Sequence, residues 1–226
     1  MEIFTCGDLS FLERLAEDKS LSRTEIKRIK GQILSSESYF IPSKKIVYLA
    51  NLSINHAAEE ASHYVRILTA GPEFERKMVD AFYANILHEA LGFFGSKMIN
   101  HKRKCSHEKD FRHLLRYLKF SDRSKKRRLQ MESVSLILDH KKSEREGVPI
   151  SYQRLLRRNP EVFMGVTHGL GYILGDRLYY ALVDGLLTKV EAKSLFMDRF
   201  KEEGAAFRAY MKLVKQTRRI KIPHRV

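Results

Sequence analysis

Asn55-His56-Ala57-Ala58-Glu59-Glu60-Ala61-Ser62-His63-Tyr64 reads as one helical stretch carrying a polar stripe. At ~100° per residue, His56, Glu59, Glu60 and His63 fall within an arc of roughly 100°. Leu52 and Ile67 lie at the two ends of that stripe, and Ala57, Ala58, Ala61, Val65 and Leu68 cover the opposite side. A helix apolar on its far side, with a polar stripe bounded by Leu and Ile, is expected to turn the two imidazoles and two carboxylates inward. Buried groups of that kind must be paired or ligated, because leaving them bare in an apolar interior is costly. The stripe is therefore a candidate site for a metal or a metal-bearing cofactor.

The rest of the chain supports a helical reading. Strand-like alternation is scarce, and the five prolines fall near expected element boundaries. Ser22-Arg23-Thr24-Glu25 has the form of a capping box and predicts a helix to about residue 35. Further helices are predicted over roughly 43–70, closed by Gly71-Pro72, then 73–100, 107–119 and 124–142. Asn159-Pro160-Glu161 places a cap before a proline at the first helical position, opening a helix towards Leu187. Thr188-Lys189-Val190-Glu191 is a second capping box and predicts one helix to about Lys215. The fold class is all-α, a multi-helix bundle. Residues 1–42 read as an N-terminal helical extension, 43–216 as the main helical domain and 217–226 as a basic, loose tail.

Bulk composition limits the function classes. With 226 residues, 43% of them hydrophobic, the chain can bury a real core. A net charge of +15 favours anionic partners. Only Cys6 and Cys105 are present, and neither belongs to a Cys-x-x-Cys, so a zinc knuckle or disulfide framework is not expected. The first residues lack a basic segment followed by an apolar run, so no signal peptide is expected. The most apolar segment, Phe163 to Leu187, is interrupted by His168, Asp176, Arg177 and Asp184, which argues against a membrane span. The expected setting is soluble and cytoplasmic.

Three constellations carry chemistry. His56 and Glu60 are four apart, so the carboxylate can reach the ring; this is either an ordinary polar pair or a carboxylate tuning a metal-ligating imidazole. Gly171 and Gly175, also four apart, leave a helix face without side chains, extended by Gly165 and Gly169. Each helical glycine costs about 1 kcal/mol relative to alanine. Such a face admits either another helix or a flat ligand. Finally, Arg208, Lys212 and Lys215 form a basic stripe, either a solvated face or a receiver of carboxylates.

Together these segments resemble the heme oxygenase family over roughly residues 44–216. His56, Glu60, Tyr64, Arg66 and Gly71 are similar to its proximal helix, where the histidine ligates heme. Leu170, Gly171 and Gly175 are similar to its distal Leu-Gly-x-x-x-Gly pattern, and Phe207-Arg208-Ala209 to the stretch whose arginine meets a heme propionate. The resemblance implies a heme oxygenase-like bundle with His56 as the iron ligand, a macrocycle lying under Gly171 and Gly175, and propionates held by Arg208, Lys212 and Lys215. It further implies oxidation of heme by O2 to biliverdin, CO and ferrous iron, with electrons from an external donor; separately, the basic charge of the chain fits docking of an acidic electron donor such as a ferredoxin or flavodoxin. The chain departs from the family where Tyr172 follows the first distal glycine in place of an aspartate. Tyr172, and Asp176 one turn on, are therefore the catalytic candidates.

Two other readings follow from the residues. Glu60-Ala61-Ser62-His63 is a Glu-x-x-His pair of the kind used in helical di-iron sites, and His88, Glu89 and Asp176 could complete it. This gives a di-metal oxidase with iron held by Glu60, His63, His88 and Asp176. A non-catalytic heme-binding or heme-sensing protein is the other. The basic runs Lys102-Arg103-Lys104, Lys125-Lys126-Arg127-Arg128, Arg157-Arg158 and Arg218-Arg219 lack a helix-turn-helix signature and read as solvated faces rather than a nucleic-acid site.

Overall fold

The computed structural model describes residues 2–5, 22–24, 26–27, 39–41, 46–49, 53–70, 78–117, 125–197, 200, 202, 204–218 and 220. Among them are eight helices: α1 (Ile54–Ala70), α2 (Met78–Ile99), α3 (His107–Tyr117), α4 (Lys125–Glu146), α5 (Tyr152–Leu156), α6 (Pro160–Val183), α7 (Lys189–Met197) and α8 (Ala205–Thr217). The protein is all-α in its main body. Three short strands, β1 (Glu2–Thr5), β2 (Tyr39–Ile41) and β3 (Ile46–Leu49), stand at the N-terminal side. They form one small sheet with β3 in the middle, parallel to β1 and antiparallel to β2.

The strands correct two expectations. The helix predicted from residue 43 begins at Ile54, because Ile46-Val47-Tyr48-Leu49 is a β-branched and aromatic run that pairs on both edges. Residues 2–5 and 39–41 are likewise strand rather than helix. The capping box at Ser22 does open a helical turn, with Ile26 N donating to Ser22 O at 3.0 Å.

Helices α2 and α6 make the centre. Both are apolar all round, as a helix surrounded by other helices must be. Phe82, Tyr83, Ile86, Leu87, Ala90 and Phe94 of α2 are buried with Val162, Val166, Leu174, Leu178 and Ala181 of α6. Glycines set how closely the helices approach. A Cβ added at Gly171 would stand 2.8 Å from the Ile86 carbonyl oxygen, and one at Gly175 would meet the Ala90 carbonyl and lie 3.0 Å from Phe93 Cβ. On its other side α2 meets α1 through Gly92, packed on the ring of His63, and Gly95, packed on Ser62. Helix α2 thus runs between α1 and α6 and touches both at glycine contacts.

Local signals set the other boundaries. Glu161 N donates to the Asn159 side chain at 2.9 Å, giving α6 the expected cap. Thr188 and Glu191 form a reciprocal box: Glu191 N donates to Thr188 Oγ1 at 3.1 Å and Thr188 N to Glu191 Oε2 at 2.8 Å. The helix opened there ends at Met197, not near Lys215, and α8 restarts after Gly204, whose φ of 74° suits glycine. Helix α8 buries Phe207, Tyr210 and Leu213 against the core. A buried polar knot ties it to α4, where His140 Nε2 lies 2.9 Å from the Tyr210 hydroxyl, which also donates to Glu144. Among the described residues no helix is long and apolar enough to cross a membrane.

Candidate metal centre

The polar stripe of α1 does turn inward. Glu59 and His63 are buried, while His56 and Glu60 are half-buried. Donor atoms of Glu59 on α1, Glu89 on α2 and His168 on α6 all lie within 4.8 Å of one another. His63 adds a fourth group, since its Nε2 is 3.9 Å from Glu89 Oε2, and His168 Nε2 is 3.8 Å from the same oxygen. The Glu89 carboxylate therefore stands between two imidazoles. His88, next to it on α2, stacks on His63 with ring centroids 4.1 Å apart. Gly92 makes this arrangement possible, because a Cβ there would lie 2.5 Å from His63 Nε2.

The electrostatics suit a cation. Burial, reinforced by the neighbouring charge of Glu59, pushes the carboxyl groups of Glu60 and Glu89 up to about 8. Burial pushes the imidazoles of His63 and His168 down to about 4, and that of His88 well below its ordinary value. At neutral pH the histidines are thus neutral, the form that ligates metal. The Glu60 and Glu89 carboxyl groups, raised in this way, hold protons that a divalent ion would displace. His63 Nδ1 is buried without a hydrogen-bond partner among the described residues. The side chain of His168 is 44% exposed and forms the solvent side of the cluster.

Aromatic and basic groups line the remaining edge. The Tyr172 hydroxyl donates to Glu59 Oε1, and Arg103 Nη2 donates to Glu59 Oε2 at 2.7 Å. The Tyr172 ring lies 4.1 Å from that of His168 and 5.0 Å from that of His107. Burial and the adjacent Glu59 charge keep the phenol protonated.

Several residues expected at a heme site are placed elsewhere. Gly171 and Gly175 face the backbone of α2, so this part of the glycine face holds a helix. His56 lies outside the convergent donors. Arg208 is exposed and bonds Glu202 at 3.2 Å, and Lys212 and Lys215 are exposed on the same outer face of α8, opposite the side that packs on the core. Asp176 is buried but forms an ion pair with Lys97, so it does not join Glu60, His63 and His88 as a ligand. Tyr172 does reach the cluster, though as a donor to Glu59. His168, Glu89 and Arg103 carry more of the site than the sequence assigned to them. A signal existed for Glu89, which with Asp80 and Lys97 supplies all the charge of an otherwise apolar α2.

No family model, no curated protein and no solved structure matches this chain.

Proposed function

We propose that this chain is a metal-dependent redox protein of the helical carboxylate type. A divalent transition ion such as ferrous iron would be held by Glu59, Glu89 and His168, with His63 as a further ligand. The observation that carries this reading is the convergence of two carboxylates and an imidazole, from three helices, within 4.8 Å. Donors around one such ion stand roughly 3–4 Å apart, given bonds of about 2.0–2.2 Å. Donors up to 4.8 Å apart would therefore close by about 1–2 Å around an ion.

Glu60, close enough for its charge to act on Glu89, and His88, stacked on His63, bring a further carboxylate and imidazole to the edge of the cluster. Carboxylates and histidines projecting into a helical bundle are the donor set of di-iron proteins. Bound iron would supply Lewis-acid and one-electron chemistry towards oxygen. The chain's own residues supply the rest. Tyr172 orients Glu59 through its hydroxyl, the stacked His63–His88 pair fixes ring planes, and half-exposed His168 marks the side from which ligands enter.

Anaerobic titration with Co(II), followed by its visible ligand-field bands, tests the reading. Bands at one or two equivalents per chain are expected, and their loss in Glu89→Gln. Absence of bands in the wild-type chain would overturn it. Hemin added in parallel is expected to give no Soret band of a histidine-ligated heme that depends on His56.

A further inference from the structure

Glu59 has both carboxylate oxygens engaged, one by the Tyr172 hydroxyl and the other by the Arg103 guanidinium. The Arg103 side chain is 11% exposed and that of Glu59 6%. The guanidinium also lies 4.5 Å over the Phe93 ring and 5.2 Å over the Tyr172 ring, with Nη2 3.3 Å from the Tyr172 hydroxyl. Its Nη1 is buried without a hydrogen-bond partner among the described residues. A fixed positive charge thus already sits on one of the three carboxylate and imidazole groups that converge. An ion bound to Glu59 would face that charge at close range in a poorly screened interior.

Arg103 does not belong to a helix. It lies in the connection from α2 to α3, which starts with Asn100 anchored to Asn55 (2.9 Å) and ends at Ser106, the cap of α3. His107 follows at once, its ring 5.6 Å from His168 and 5.0 Å from Tyr172. Whatever moves Arg103 off Glu59 therefore acts on the segment that carries the exposed wall of the cluster.

Resting on the metal reading above, we propose that Arg103 is a built-in cationic stopper. It neutralises Glu59 in the metal-free protein, and metal entry exchanges one cation for the other. The displaced guanidinium takes the 100–107 connection with it, so occupancy of the site is read out as a change at its mouth. Arg103 then sets metal affinity without being a ligand.

The test pairs metal affinity with hydrogen exchange on the full chain. Mn(II) or Co(II) titration of Arg103→Gln is expected to show binding at least tenfold tighter than wild type, because competition for Glu59 is gone. Arg103→Lys is expected to fall between. In the wild-type chain, saturating metal is expected to speed amide exchange across 100–107 while slowing it in α1 and α2. Equal or weaker binding by a folded Arg103→Gln overturns the proposal, as does exchange across 100–107 that metal leaves unchanged. The second measurement needs no variant and decides the matter if Arg103→Gln fails to fold. If the wild-type chain binds neither ion, the metal reading itself falls, an outcome distinct from loss of the stopper alone.

Discussion

The ring of His63 on α1 occupies the space that a side chain at position 92 of α2 would need. Backbone packing and site geometry are therefore one problem at this crossing. Gly92→Ala must push the imidazole away from Glu89 or spread the helices. Such overpacking costs about 1–3 kcal/mol. Urea denaturation is expected to show that loss, and Co(II) titration at least a tenfold weaker affinity. Gly165→Ala is the contrast: a Cβ there meets nothing within 4 Å, so removing a helical glycine should stabilise the fold by ~0.5–1 kcal/mol.

Lys97 and Asp176 form a buried ion pair between α2 and α6, with the ammonium 4.4 Å over the Tyr180 ring. Removing one partner strands the other. Asp176→Asn is expected to lower stability by about 3 kcal/mol, whereas Lys97→Met with Asp176→Leu together should recover most of it. Because Asp176 is committed to Lys97, the double variant should keep its full metal content. Loss of metal from a folded double variant would return Asp176 to the ligand set.

Stability of the metal-free chain should depend on pH in a characteristic way. Glu60 and Glu89 have folded values raised to about 8, so their contribution is complete below the ordinary carboxylate value and is lost as pH rises towards 8. His63, which is buried, has a folded value lowered to about 4, so its contribution is complete above pH 6.5 and falls away as pH drops towards 4. The two trends oppose each other below pH 6.5, and only the carboxyl trend operates above it. Thermal melts of metal-free protein should therefore fall by several degrees from pH 6.5 to 8. Saturating Mn(II) should remove the fall, because the bound ion favours the ionised carboxylates.

The sequence carried the helical framework and one wall of the site. Capping residues Asn159 and Thr188 placed the starts of α6 and α7, and the polar stripe on α1 predicted that Glu59 and His63 would be buried. The break after Met197 was legible only in Gly204, a residue that periodicity passes over. The glycine face of α6 was ambiguous for a physical reason. A helix and a flat ligand make the same demand for missing side chains, and only the position of α2 shows that Gly171 and Gly175 serve packing. Glu89, Arg103 and His168 come from three separate segments, and no local pattern reports that their side chains converge on Glu59. Motif spacing pointed to His56 as ligand, yet the tertiary arrangement gathers the donors one to two turns further along α1.

The most direct measurement is metal content after anaerobic reconstitution with Fe(II) and removal of free ion, determined by elemental analysis on wild type, Glu89→Gln and His56→Ala. Wild type and His56→Ala should each retain at least one iron per chain, and Glu89→Gln less than a tenth of that. Iron absent from wild type, or retained in full by Glu89→Gln, would contradict the proposed metal centre.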